Sequence, residues 1–180
     1  SVDRVLPACF EPSEDGYCVA IGLTVPWSAN YGPFDESVLV VKCLYEGQEV
    51  FFAPVVFLNS RSSIPAGREI YGTPKVFAEM DVRMEERVMV TDTFLAGTSV
   101  MSVRSTMQRV ASAEEMPVLL PSYRLKVIPR VDGEGADVMQ LIDVSGVATD
   151  VTVHIRRAGD GVVQFNPSPT YDLSDFRPLE

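Results

Sequence analysis

The sequence predicts a mostly β fold (α+β): a closed antiparallel β-barrel or cone-like sheet around an internal pocket, with few short helices. Three observations lead there. Runs rich in Val, Leu and Phe recur at strand length over Tyr17–Val25, Val38–Tyr45 and Glu49–Leu58. Within Thr98–Met107, Ser99, Met101 and Val103 alternate with Thr98, Ser102 and Arg104, the period of a strand with one buried face. Helical patterning is scarce: a short piece over Ser63–Tyr71, with Pro65 allowed in its first turn, and a second candidate over Arg109–Met116. The remaining strands are expected at Arg87–Leu95, Tyr123–Pro129, Val138–Val144, Thr149–Arg156 and Val162–Phe165. Val131-Asp132-Gly133-Glu134-Gly135 reads as the turn of one hairpin and Ala158-Gly159-Asp160-Gly161 as that of another. So many strands on so little helix bury their apolar faces best by curling around a common interior.

Composition narrows the function. The 180 residues, 46% of them hydrophobic, are enough for a core without covalent staples, and no repeat or linker divides the chain, so one domain is expected over 1–180. A net charge of −10 argues against nucleic acid and anionic membrane surfaces as partners. The longest apolar runs, such as Phe51–Leu58, are too short to span a bilayer. Cys9, Cys18 and Cys43 are odd in number and lack metal-ligand spacing; they are expected to pack as small apolar residues in a reducing compartment. With no signal-peptide pattern, a cytoplasmic location follows as the expectation. His154 is the only histidine, which leaves Ser-His-Asp and Cys-His systems little room, and it reads as a structural residue within a strand.

Of fifteen basic residues only three are lysine: Lys42, Lys75 and Lys126. Lys42 and Lys126 lie in strand patterns and are expected to be exposed or salt-bridged. Lys75 closes the segment Gly67-Arg68-Glu69-Ile70-Tyr71-Gly72-Thr73-Pro74-Lys75 and is followed by Val76-Phe77-Ala78. Gly72 can end a helical turn at positive φ, and Pro74 fixes its own φ while extending Thr73. The lysine is therefore presented from a stiff, turned backbone beside apolar residues. Desolvation disfavours an ammonium, and a free amine can attack a carbonyl to form an imine. A surface lysine leaving a turn is the plainer alternative. Arg68 and Glu69 read either as a structural ion pair or as pocket-facing groups. Asp35-Glu36, after Gly32-Pro33-Phe34, is either a solvated acidic turn or one that aims a carboxylate inward.

Gly67 to Lys75 resembles the signature of the acetoacetate decarboxylase family, as do Pro121-Ser122-Tyr123-Arg124-Leu125-Lys126-Val127-Ile128-Pro129 and Thr149-Asp150-Val151-Thr152-Val153-His154, in the family's order and near its spacing. Acetoacetate decarboxylase is the standard instance of a lysine activated by desolvation or a neighbouring cation. The resemblance implies a pocket inside the sheet, Lys75 as the imine-forming nucleophile and Glu36 as an active-site carboxylate; Tyr71 and Arg68, in the same segment as the lysine, are further candidate substrate contacts. It implies no metal and no cofactor beyond the covalent imine on lysine, a small keto acid as ligand, and a homo-oligomer, which exposed sheet edges would favour.

Four departures from the family pattern accompany the resemblance. The family's usual second lysine is here Val76, and a second glutamate falls near Ile21. An N-terminal arginine and a last strand have no counterpart, so terminal segments are expected to be lacking at both ends. Losing the neighbouring cation leaves desolvation alone to activate the amine. Imine formation survives both substitutions, but the next step is open, because an imine accepts an electron pair from a lost carboxylate, a deprotonated carbon or a broken carbon–carbon bond. Three functions follow: a lyase decarboxylating a small 3-keto acid through Lys75, an imine-dependent aldolase or dehydratase on a larger keto acid, or a non-catalytic binding barrel.

Overall fold

Apolar alternation between Cys18 and Leu58 produces three long antiparallel strands that form the floor of the molecule. The computed structural model describes residues 2–148, 150–174 and 176. After a single 3₁₀ turn at Val2–Arg4, strands β1 (Glu11–Pro12), β2 (Cys18–Val25), β3 (Phe34–Tyr45), β4 (Gln48–Leu58) and β5 (Lys75–Phe77) join β10 (Ser122–Pro129) and β11 (Ala136–Asp143) in a seven-stranded sheet. A four-stranded sheet holds β6 (Glu79–Glu85), β7 (Val88–Leu95), β8 (Thr98–Thr106) and β13 (Gly161–Phe165), in the order β13-β8-β7-β6. The short strands β9 (Arg109–Val110) and β12 (Arg157–Ala158) pair with each other. Helix α1 covers Ser63–Glu69.

The larger sheet departs from the expected architecture in two ways. Among the described residues it is a curled half-barrel: β11 ends the sheet against β10 and does not return to β1 or β2. Nor is it wholly antiparallel, since β4 pairs in parallel with both β5 and β10. A parallel neighbour needs a crossover, and the segment carrying α1 supplies the one that delivers Lys75 beside Val56.

The pleat of this sheet divides two environments. Leu39, Val41, Phe52, Val55 and Phe57 face a core shared with Val100 of the second sheet. Val38, Val40, Phe51, Ala53 and Val56 face the other way, with Ile21 and Leu119 packed beside them. The switch in β4 parity from 51 and 53 to 56 comes from one extra residue at Ala53-Pro54, where the β3–β4 register slips. Proline cannot donate to a ladder, so a bulge is the place a strand tolerates it. The sheets are tied by a buried hydrogen bond of 2.8 Å between the Ser37 and Thr93 hydroxyls.

Several local expectations are corrected. Residues 150–156 form no ladder, although Val151, Val153 and Ile155 alternate with strand period, and all three are exposed. His154 is thus exposed outside any strand, and Ala158–Gly161 links β12 to β13 across two separate sheets instead of closing a hairpin. Thr149 lies outside the described residues. Arg109–Met116 is not helical: β9 takes its start, the Glu115 carboxylate caps the Ser112 amide at 2.8 Å, and Pro117 ends the single turn that follows. The hairpin at Val131–Gly135 does form, between β10 and β11. Cys43 is buried, and burial pushes its thiol up to about 11, whereas Cys9 and Cys18 are exposed and do not pack as core residues. Among the described residues no helix is long and apolar enough to cross a membrane.

Candidate active site

The face of the larger sheet opposite the core opens onto a cavity of about 810 Å³, and α1 forms part of its wall through Ser63, Ala66 and Gly67. Those positions are spaced i, i+3 and i+4, one stripe of a helix. The floor follows from register. Ile21 lies opposite Val38, Val38 opposite Val56, and Val56 opposite Lys75, a row of four residues on four adjacent strands. All four line the cavity. Lys75 thus emerges at the edge of an apolar row, as its apolar sequence neighbours suggested, but the apolar groups come from β2, β3 and β4.

Glu36 does not sit in a turn. It belongs to β3, held between Leu23 and Leu58 in the ladders on either side, and strand parity points it to the same face as Val38. There Glu36 Oε2 lies 3.0 Å from Lys75 Nζ, with the two side chains 16% and 15% exposed. Such shielding from water makes the contact stronger than a surface pair and gives a direct path for a proton between amine and carboxylate. The Phe34 ring completes the amine's surroundings, its centroid 5.5 Å from Nζ.

The loop from α1 to β5 fixes the lysine backbone. A Cβ added at Gly67 would stand 2.5 Å from Lys75 Cδ, so glycine there is what allows the lysine stem to lie against the helix. Gly72 adopts φ +68°, and a Cβ on it would stand 2.6 Å from the Lys126 amide nitrogen, so both conformation and space require glycine. The Thr73 amide donates to the Gly67 carbonyl at 2.9 Å, closing the turn. Arg68 forms no ion pair with Glu69 and does not line the cavity; its Nη1 donates to the Lys75 carbonyl at 3.2 Å and braces the strand. Tyr71 does line the cavity. Lys42, farther along β3, pairs with Asp15 and Glu49, 2.5 and 3.1 Å away, and does not line the cavity.

Val76 points away from the amine. Adjacent strand residues take opposite faces, and Val76 packs against the shared core while Lys75 lines the cavity. A second lysine there would not share the pocket. Val76→Lys is therefore expected to leave the pH dependence of amine reactivity in place while costing roughly 1–3 kcal/mol of stability through an ammonium forced toward the core. Chemical denaturation and a pH profile of ketone trapping check the two halves.

Sequence reasoning missed Arg124. It lines the cavity with Ser122, and parity on β10 sends Tyr123 and Leu125 to the core instead. Its Nη1 donates to the Ser122 hydroxyl at 2.8 Å and the Tyr123 carbonyl at 2.7 Å. The signal was present in the strand alternation of Ser122-Tyr123-Arg124-Leu125. Ser28, Tyr31 and Phe34 also reach the cavity, from a loop and strand start that carry no motif. Among the described residues no group of three or more His, Cys, Asp or Glu side chains is arranged to hold a metal ion.

Comparison with known proteins agrees with this fold. The family model described as acetoacetate decarboxylase (ADC) matches residues 1–180. The chain is similar to acetoacetate decarboxylase 3 of Mesorhizobium japonicum, 27% identical over 100% of this chain and 70% of that protein. It spans about half the length of other curated relatives it matches, 55%, 46% and 44%. Its structure is similar to the crystal structure of acetoacetate decarboxylase from Legionella pneumophila, with a TM-score of 0.83 and 27% identity over 97% of this chain and 69% of that one. The fold also resembles the enduracididine biosynthesis enzyme MppR complexed with pyruvate, with a TM-score of 0.77 and 19% identity over 99% of this chain and 75% of that one.

Proposed function

Because this chain belongs to the acetoacetate decarboxylase family, we propose that it is an imine-forming lyase that decarboxylates a 3-keto acid through Lys75. One observation carries the reading: the 3.0 Å contact between Lys75 Nζ and Glu36 Oε2 inside a largely apolar cavity. Glu36 takes a proton from the ammonium, and the free amine attacks the ketone carbon. Glu36 hands that proton to the departing hydroxyl, so water leaves as the carbon–nitrogen bond becomes an iminium. The bond to the carboxylate then breaks, its electron pair moves toward the iminium nitrogen to give an enamine, and carbon dioxide departs. Glu36, reprotonated from solvent water, then gives a proton to the enamine carbon, after which water hydrolyses the iminium and releases the ketone. No cofactor is needed in this sequence because the electron sink is the imine itself.

Ile21 fits this role. In place of a carboxylate, it adds apolar surface to the row that ends at Lys75 and removes a charge that would repel an anionic substrate. Fold likeness to MppR, solved with pyruvate and with the condensation product of pyruvate and imidazole 4-carboxaldehyde, supports a second reading in which the same imine carries aldol or dehydration chemistry. The two are separated by measuring carbon dioxide release from a panel of 3-keto acids alongside consumption of pyruvate with an aldehyde. Decarboxylation predicts carbon dioxide release with turnover on the order of 1–10³ s⁻¹, the ordinary enzymatic range. Pyruvate-dependent loss of aldehyde without carbon dioxide would transfer the assignment to the second reading.

A further inference from the structure

Arg124 is a cation that the decarboxylation scheme above does not use. Among the described residues lining the cavity, the charged ones are Glu36, Lys75 and Arg124. Glu36 is already within ion-pair distance of Lys75, so one positive charge is left over, in a protein whose net charge is −10. Arg124 is half-buried and forms no ion pair among the described residues. Its two hydrogen bonds both leave from Nη1, which fixes the plane of the guanidinium and leaves Nε and Nη2 as donors for something else. Burial pushes its pKa below the ordinary arginine value, and the Glu36 charge opposes that only in part. A guanidinium desolvated in this way gains most from a carboxylate that reaches it in two-pronged geometry.

That carboxylate cannot usefully be the one that departs. As carbon dioxide forms, the departing group loses its negative charge, so a cation clamped on it holds the reactant more tightly than the transition state and slows the step. A productive Arg124 holds a charge that persists through the reaction. Position and volume agree. Lys75 registers with Val56 of β4, and Ser122 registers with Phe51, with β5 and β10 both running parallel to β4 on the same side of it. Arg124 is two residues beyond Ser122 toward Lys75, which leaves roughly 10 Å of strand between the two positions, a span that two long side chains and a short carbon chain can bridge. A cavity of about 810 Å³ is within the size range of pockets for drug-sized ligands, far more than a four-carbon acid fills.

We propose that Arg124 binds a second carboxylate, retained in the product, so that the substrate is a keto dicarboxylic acid whose ketone reaches Lys75 while its far carboxylate sits on Arg124. This rests on the imine reading of Lys75 and specifies its substrate class. The test uses two ketones of similar length that form an imine but have no 3-keto carboxylate to lose, levulinate and hexan-2-one, which differ in carrying a terminal carboxylate or an ethyl group. For each, the concentration giving half-maximal borohydride trapping at Lys75 is measured by mass spectrometry in the native protein, Arg124→Gln and Arg124→Lys. The native protein is expected to favour levulinate by about 10- to 100-fold, the worth of a charge-assisted hydrogen-bonded pair. Arg124→Gln should bring the ratio close to one, and Arg124→Lys should restore part of it. A purely structural role would weaken both ketones together and leave the ratio unchanged, which would overturn the proposal, as would equal trapping of the two by the native protein. Trapping of neither ketone at Lys75 would overturn the imine reading itself, and this proposal with it.

Discussion

Lys75→Arg is expected to lose activity toward keto acids by about 10⁴-fold or more, the scale on which removing a covalent nucleophile acts. Arginine keeps a positive charge beside Glu36, but its guanidinium stays protonated and forms no imine. A contribution from Lys75 that was purely electrostatic would survive the exchange. The lysine stem fits against Gly67 with no room for a further Cβ there, so the wider guanidinium also tests the space. Lys75→Met keeps the stem and removes the amine, and the same loss is expected from it. Retention of the native melting temperature in either variant, with activity gone, separates chemistry from folding. Activity within ten-fold of the native protein in both would remove Lys75 from the mechanism.

Glu36→Gln is expected to lower turnover by roughly 10²-fold, the usual contribution of a positioned acid–base group. The amide preserves the shape of a side chain held between two ladders, and it can still accept a hydrogen bond from Nζ, 3.0 Å away. What it cannot do is take the amine's proton or return one to the enamine carbon. The effect should therefore fall mainly on kcat, with trapping of ketone slowed but not abolished. Loss of less than a few-fold would leave the ion pair as a structural contact.

The same pair shows how the sequence could and could not be read. Lys75 was legible because glycine, proline and lysine have conformational meaning on their own: Gly72 needs positive φ, Pro74 restricts its neighbours, and the amine follows at once. The long strands were legible because their apolar faces recur with the period of the pleat. Glu36 was recognised through family resemblance but placed in a turn. Its direction is set by pairing with Leu23 and Leu58, residues 13 and 22 positions away, which local patterning does not contain. Arg124 was passed over for a related reason: strand parity said it opposed Tyr123 and Leu125, but not which of the two faces would be cavity. Strand β6 alternates Met80, Val82 and Met84 with Glu79, Asp81, Arg83 and Glu85 at strand period and was still missed, because strands disfavour Asp and Glu; it is an edge strand whose Arg83 pairs with Asp81, Glu85 and Asp92. Residues 150–156 mislead in the opposite sense, with strand period but no ladder formed along them. Periodicity reports what a segment can pair with, and the fold decides whether a partner is there.

The account stands on which amine meets the carbonyl. Borohydride reduction of the native protein with a keto acid, followed by tryptic digestion, answers that directly, because a reduced adduct blocks cleavage after the modified lysine. The expected product is a single peptide running from Glu69 to Arg83 with one ketone-derived mass added at Lys75. Adduct on Lys42 or Lys126, or its absence from all three lysines at saturating keto acid, would contradict the assignment.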